Sequence, residues 1–231
     1  CVMGAAFDAT GWQGSPSWAE LLVEASGPDQ MSFSWSAETQ AATRPAVAPT
    51  ATVGAARDPG GSGLWTVTAQ GTVSALGGAP DFGDMSTLGF TGLSGAKPLA
   101  APIVGIAPTP SGQGYWLVAQ DGGVFTFGNA PYLGNTYTLG FTGLSGAKPL
   151  AAPIVGIAPT PSGQGYWLVA QDGGVFTFGN APYDGSGAGS SAISPPVVAL
   201  VPTDAGQGYW LVAQGGEVAG FGPAPALSTG N

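Results

Sequence analysis

The 231-residue chain has no histidine. That absence removes the Ser-His-Asp and Cys-His arrangements, the commonest general base and the commonest metal ligand. Cysteine occurs once, as Cys1, so no internal disulfide can form and no imidazole is at hand to activate the thiol. Charge is scarce as well: 7% of residues are charged, against about 25% in ordinary soluble domains. Thirteen acids face four bases, giving a net charge of −9. Arg44, Arg57, Lys97 and Lys148 are too few and too scattered to build a phosphate-neutralising patch. Nucleic acid is therefore excluded as a partner, and anionic membrane surfaces are disfavoured. No apolar run is long enough to cross a bilayer, since residues 150–159 are broken by Pro and Gly. No window supports a long amphipathic helix, and residues 19–25 offer one or two turns at most.

Glycine (41) and proline (21) are abundant, but 44% of the chain is hydrophobic and 10% aromatic. A disordered Gly/Pro tract would be poor in aromatic and β-branched residues, so that reading fails. The chain is instead repetitive. The string TLGFTGLSGAKPLAAPIVGIAPTPSGQGYWLVAQDGGVFTFGNAPY at residues 87–132 recurs unchanged at 138–183, 51 positions later. Two looser copies flank the pair, and the four align through Trp65, Trp116, Trp167 and Trp210, at spacings of 51, 51 and 43. A fixed period of this size points to a propeller, a solenoid or an array.

Comparison between copies shows which positions are kept. A Gly precedes the Trp (Gly63, Gly114, Gly165, Gly208), and a Val follows two residues after it (Val67, Val118, Val169, Val212). A turn Gly comes next (Gly71, Gly122, Gly173, Gly216), then a Val (Val73, Val124, Val175, Val218) and another Gly (Gly77, Gly128, Gly179, Gly222). An Ala-Pro pair closes each unit. Every fully kept column is apolar, Gly or Pro, so the copies preserve packing and turn geometry rather than a chemical group.

YWLVAQ (115–120) and VFTFG (124–128) are short, aromatic and β-branched, and Asp121-Gly122-Gly123 between them is a strong hairpin signal. IVGIAP (103–108) makes a third strand, and residues 88–91 a candidate fourth. Three or four short strands per unit is the size of a propeller blade, and a lone blade cannot bury both its faces. The expected fold is all-β, with β-propeller-like blades of short antiparallel strands. Four repeats are clear, at about 46–86, 87–137, 138–192 and 193–231. Trp116 and Phe127 are the expected fillers between blades, with Leu76 in the place of Phe127 in the first unit. Residues 1–45 form a separate N-terminal segment. Within it, LLVEASGPDQMSFSWSAE (21–38) reads either as a fifth, degenerate blade or as an accessory hairpin.

The candidate chemistry is thin. Asp81 and Asp84 are three apart, and Asp121 and Asp172 recur at hairpin turns, where an Asp ordinarily bonds the local backbone. Asp121-Gly122-Gly123 lacks the multiple acids of a calcium loop. Gly112-Gln113-Gly114 precedes a strand, whereas a phosphate loop opens a helix. No catalytic residue, metal site or cofactor is expected. Exposed aromatics make the best case for contacts: Tyr115, Tyr132, Tyr166, Tyr183 and Tyr209 are candidates to stack on sugars or to face a neighbouring subunit. Three readings of Cys1 stand: the acylated cysteine of a bacterial lipoprotein, a processing boundary, or the nucleophile of an autoprocessed hydrolase.

The strings GQGYWLVAQDGGVFTFGNAPYLG (112–134) and GQGYWLVAQDGGVFTFGNAPYDG (163–185) resemble repeats widespread in secreted and cell-envelope proteins of actinobacteria. The resemblance covers residues 53–225. Such repeats are often appended to cell-wall hydrolases or esterases, but no hydrolase segment is recognisable here. The units are also similar, more weakly, to the regulator-of-chromosome-condensation repeat. That likeness implies a propeller, though one with more blades, and carries over no partner or exchange activity. The resemblance implies an extracellular or cell-surface location.

A soluble monomer ordinarily keeps about a quarter to a third of its surface charged. A chain this poor in charge is expected to be covered by neighbours or to work in an acidic exterior. The expected function is that of a non-catalytic structural or interaction repeat protein at a bacterial cell surface. Its expected partners are copies of itself or other surface proteins, with a lipid anchor at Cys1 as an option. The alternative is a carbohydrate-binding propeller module directed at the cell wall.

Overall fold

The computed structural model describes residues 50–227 and two strands nearer the N-terminus. The chain divides into two units, Cys1–Ala46 and Val47–Asn231. In the first, β1 (Glu20–Ala25) and β2 (Met31–Ser36) pair antiparallel, with Leu21 opposite Trp35 and Val23 opposite Phe33. Residues 20–25 are thus extended, not helical. Of a fifth blade, this hairpin is what the described residues contain.

The second unit is all-β and consists of four three-stranded antiparallel sheets. Blade 1 is β3 (Thr52–Arg57), β4 (Leu64–Thr68) and β5 (Val73–Leu76). Blade 2 is β6 (Ile103–Pro108), β7 (Gly114–Ala119) and β8 (Val124–Gly128). Blade 3 is β9 (Ile154–Pro159), β10 (Gly165–Ala170) and β11 (Val175–Gly179). Blade 4 is β12 (Val197–Pro202), β13 (Tyr209–Ala213) and β14 (Val218–Phe221). Each blade is a meander with its middle strand paired on both sides, and the registers match from copy to copy. In all four, the register is irregular at the second residue of the first strand, Val53, Val104, Val155 or Val198.

Blades stack through their first strands: β3 lies against β6, β6 against β9 and β9 against β12. Among the described residues no comparable packing returns from β12 to β3. The blades therefore form an open series, in which other blades cover both faces of blades 2 and 3 and one face of blades 1 and 4.

Alternation along the middle strand divides its side chains between the two faces. Trp116 and Val118 of blade 2 face blade 3, where they meet Tyr166, Leu168 and Phe178. Tyr115, Leu117 and Phe127 face the other way, against Trp65 and Val67 of blade 1. The third interface sets Trp167 and Val169 against Tyr209 and Leu211. Trp116 and Phe127 both fill gaps between blades, at two different interfaces. We call the Trp-bearing side of a blade its B face and the Tyr-bearing side its A face.

The expected fourth strand at residues 88–91 is absent. Leu88 and Gly89 end a turn and Phe90 and Thr91 are irregular, because Gly89, Gly92 and Gly95 each take a left-handed φ and no extended run can form across them. The equivalent stretch after blade 2 begins with a one-turn 3-10 helix, Thr136–Leu139, capped by Asn135. The first copy makes the same turn bonds: Phe90 N–H donates to Met85 C=O as Phe141 N–H donates to Thr136 C=O. Lys97 Nζ donates to Leu88 C=O from above the Phe90 ring, and Lys148 does the same with Leu139 and Phe141. Two of the four cations thus hold linker turns.

Candidate functional site

Each blade returns through a hairpin whose turn Gly has a left-handed φ, 87° at both Gly122 and Gly173. Asp121 Oδ1 accepts from Gly123 N–H, and Asp172 Oδ1 accepts from Gly174 N–H. The turn carboxylates are thus occupied by the local backbone. Asp121 Oδ2 also accepts from Tyr137 O–H at 2.8 Å, and burial together with this bond pushes the Tyr137 phenol up to about 12. Asp81 and Asp84 likewise close their own turns, accepting from Gly83 and Ser86 N–H.

The opposite edge of blades 2 and 3 carries a recurring polar cluster. Thr109 Oγ1 donates to Asn129 Oδ1, and Asn129 Nδ2 donates to Ser111 Oγ. Thr160, Asn180 and Ser162 repeat it at 3.0 and 2.9 Å. Sequence comparison passed over this cluster because it is missing from the outer units, where Gly78 and Pro223 stand in the place of the Asn.

The five candidate tyrosines separate into two groups. Tyr115, Tyr166 and Tyr209 are fully buried between blades. Their hydroxyls donate to the carbonyls of Gly83, Gly134 and Gly185 in the preceding linkers. These three are inter-blade core residues, which corrects the expectation that they are surface contacts. Tyr132 and Tyr183 are exposed, at 53% and 62%, and keep that expectation alive. Cys1 and Arg44 lie outside the described residues.

Burial pushes the Tyr166 and Tyr209 phenols up to about 12 and the Tyr115 phenol well above its usual range. The neutral phenol is the form that the fold favours, since ionisation costs more between blades than in the unfolded chain. The contribution of these residues is complete below pH 10 and is lost as pH rises through about 12. Thermal melts across that window are expected to fall steeply, and a Tyr166→Phe/Tyr209→Phe double variant is expected to fall less steeply.

Between the edges of blades 3 and 4 lies an open groove of about 540 Å³. Its lining includes Ser162, Asn180, Asp184 and Gln207, with Pro182 and Pro223 as apolar walls. Asp184 Oδ2 accepts from Gly208 N–H at 2.9 Å, so one oxygen is fixed and the carboxylate is oriented. Asp184 stands where the preceding copy has Leu133. Among the described residues, no three Cys, Asp or Glu side chains converge, and no buried side-chain polar atom lacks a partner. No helix among them is long and apolar enough to cross a membrane.

No protein-family model matches the chain, and no curated protein matches it.

Proposed function

We propose that the chain is a non-catalytic structural or interaction repeat protein at a bacterial cell surface, acting within a larger assembly. One observation carries this reading: the turn Asp and the Thr–Asn pair that recur between blades 2 and 3 are engaged in holding turns and edges. Asp121, Asp172, Thr109, Thr160, Asn129 and Asn180 each make a bond within their own blade, and Asp121 takes a second from Tyr137 of the following linker. What the repeats offer outward is therefore shape and apolar surface, the currency of assembly. The scarcity of charge and the resemblance of residues 112–134 and 163–185 to actinobacterial envelope repeats support the location. Protease shaving of intact producing cells, followed by light scattering on natively extracted protein, tests it. Loss of the protein on shaving and a particle larger than the monomer are expected. A protein protected until lysis, or one that is monomeric at high concentration, overturns the reading.

A groove lined by Pro182 and Asp184, the two chain neighbours of the exposed Tyr183, favours a second reading, a module that binds cell-wall carbohydrate. Sugar recognition combines a stacking aromatic with oriented polar groups, and Asn180 and Asp184, both held by hydrogen bonds, supply the latter. Titration with soluble cell-wall glycan fragments decides it. Saturable binding lost in both Tyr183→Ala and Asp184→Ala supports carbohydrate, and no binding at millimolar glycan rejects it.

A further inference from the structure

The open end of blade 4 keeps everything that a covered B face has. In blade 3 that face is Val155, Ala158, Trp167, Val169 and Val175, all packed against blade 4. The matching residues of blade 4 are Val198, Val201, Trp210, Val212 and Val218, and each is apolar. Yet Val198, Val201 and Val218 are between 38% and 46% exposed, and Trp210 and Val212 are half-buried. Trp210 is also held as its counterparts are. Its Nε1 donates to Pro225 C=O at 2.7 Å, as Trp65, Trp116 and Trp167 donate to Pro80, Pro131 and Pro182. In the three inner interfaces a Tyr from the next blade stands 5.6 to 5.8 Å from the indole, tilted by 58° or 59°. Trp210 has the anchoring bond without the partner ring.

The free A face belongs to blade 1. Leu64 and Leu76 pair directly across the strands, where blade 2 pairs Tyr115 with Phe127. They are 39% and 48% exposed. Around them, Thr66, Thr68 and Ser74 replace Leu117, Ala119 and Phe125. The face is thus an A face with its apolar pair kept and its remainder made polar, which suits a contact that forms between separate chains.

We propose that the B face of blade 4 docks the A face of blade 1 of a second copy of this chain, head to tail, with Leu64 and Leu76 seated on Trp210. This deepens the assembly reading and rests on it. The inter-chain contact continues a blade interface that the chain already builds three times, and it joins the two faces the series leaves uncovered. It is heterologous, so it propagates from copy to copy instead of stopping at a symmetric pair. Among the described residues nothing covers the apolar side chains concerned, and exposed apolar patches of this kind mark contact surfaces.

Two full-length variants test it, Leu64→Asp and Val218→Asp. Both positions are exposed, and each variant's melting curve checks that its fold is intact. Wild type is expected to grow with concentration in sedimentation velocity. Each variant alone is expected to stay monomeric, and an equimolar mixture is expected to give a one-to-one dimer and nothing larger, because one good face remains on each partner. Two outcomes overturn the inference while leaving the assembly reading intact. Either both variants assemble like wild type, or Leu64→Asp alone still dimerises, which marks a symmetric contact between B faces. A wild type that is monomeric throughout the concentration range overturns both.

Discussion

Replacing Trp116 with alanine is expected to lower the stability of the fold by about 3–5 kcal/mol, the usual cost of emptying a large aromatic core site. Trp116 is fully buried, with its ring 5.7 Å from that of Tyr166. Its Nε1 donates to Pro131 C=O at 2.8 Å, so the variant also strips that carbonyl of its partner. Trp167→Ala is expected to fall in the same range, since its distances to Tyr209 and Pro182 are 5.8 and 2.7 Å. Trp210→Ala is expected to cost clearly less in dilute solution, because among the described residues no ring from a further blade packs on it. Denaturant titration of the three variants measures this. Equal losses at all three positions would mean that Trp210 is covered as fully as the others, and unchanged stability in Trp116→Ala would make the tryptophans surface groups.

The hairpins and their pairing were legible because two local signals agree there: β-branched and aromatic alternation, and a Gly-bearing turn at a fixed offset. The third strand was legible from IVGIAP for the same reason. The supposed fourth strand at residues 88–91 failed because Leu88, Phe90 and Thr91 have strand-like side chains while the interleaved glycines set the backbone. There, φ at Gly89, Gly92 and Gly95 outweighs side-chain propensity.

Tyr115, Tyr166 and Tyr209 depart from the surface expectation for a topological reason. Tyr115 and Trp116 are neighbours on one strand and point to opposite faces, and in a half-buried sheet one of them would see water. In an inner blade both faces are covered, so both are core. The signal was available in YWLVA, which is apolar at every position instead of alternating, the mark of a strand buried on both sides. The blade-edge groove left no such trace. It depends on Asp184, which stands where the other copies have Phe82, Leu133 and Leu227, and comparison between copies discards such a position.

Gly179→Ala is expected to cost about 3 kcal/mol or more, and two sources of that cost can be separated within this chain. Gly179 has a left-handed φ of 62°, which costs an L-residue about 1–2 kcal/mol. A Cβ there would also lie 2.1 Å from Gln164 O and 2.9 Å from Leu133 Cδ1. That carbonyl accepts from Asn180 N–H at 2.9 Å, so the added methyl would push apart the bond that ties the end of β11 to the loop before β10. Relief requires backbone movement, which overpacking data place at about 1–3 kcal/mol. Gly216 shares the left-handed conformation, at φ 86°, and has open space around it, so Gly216→Ala is expected to show the conformational part alone. Gly215 has neither constraint, and Gly215→Ala is expected to fall within about 0.5 kcal/mol of wild type, as other unconstrained surface changes do. Denaturant midpoints for the three variants should therefore fall in the order Gly215, Gly216, Gly179. A Gly179→Ala protein no weaker than Gly216→Ala would mean that the blade edge yields freely, and that the Gly kept at this place in all four units answers to backbone conformation alone.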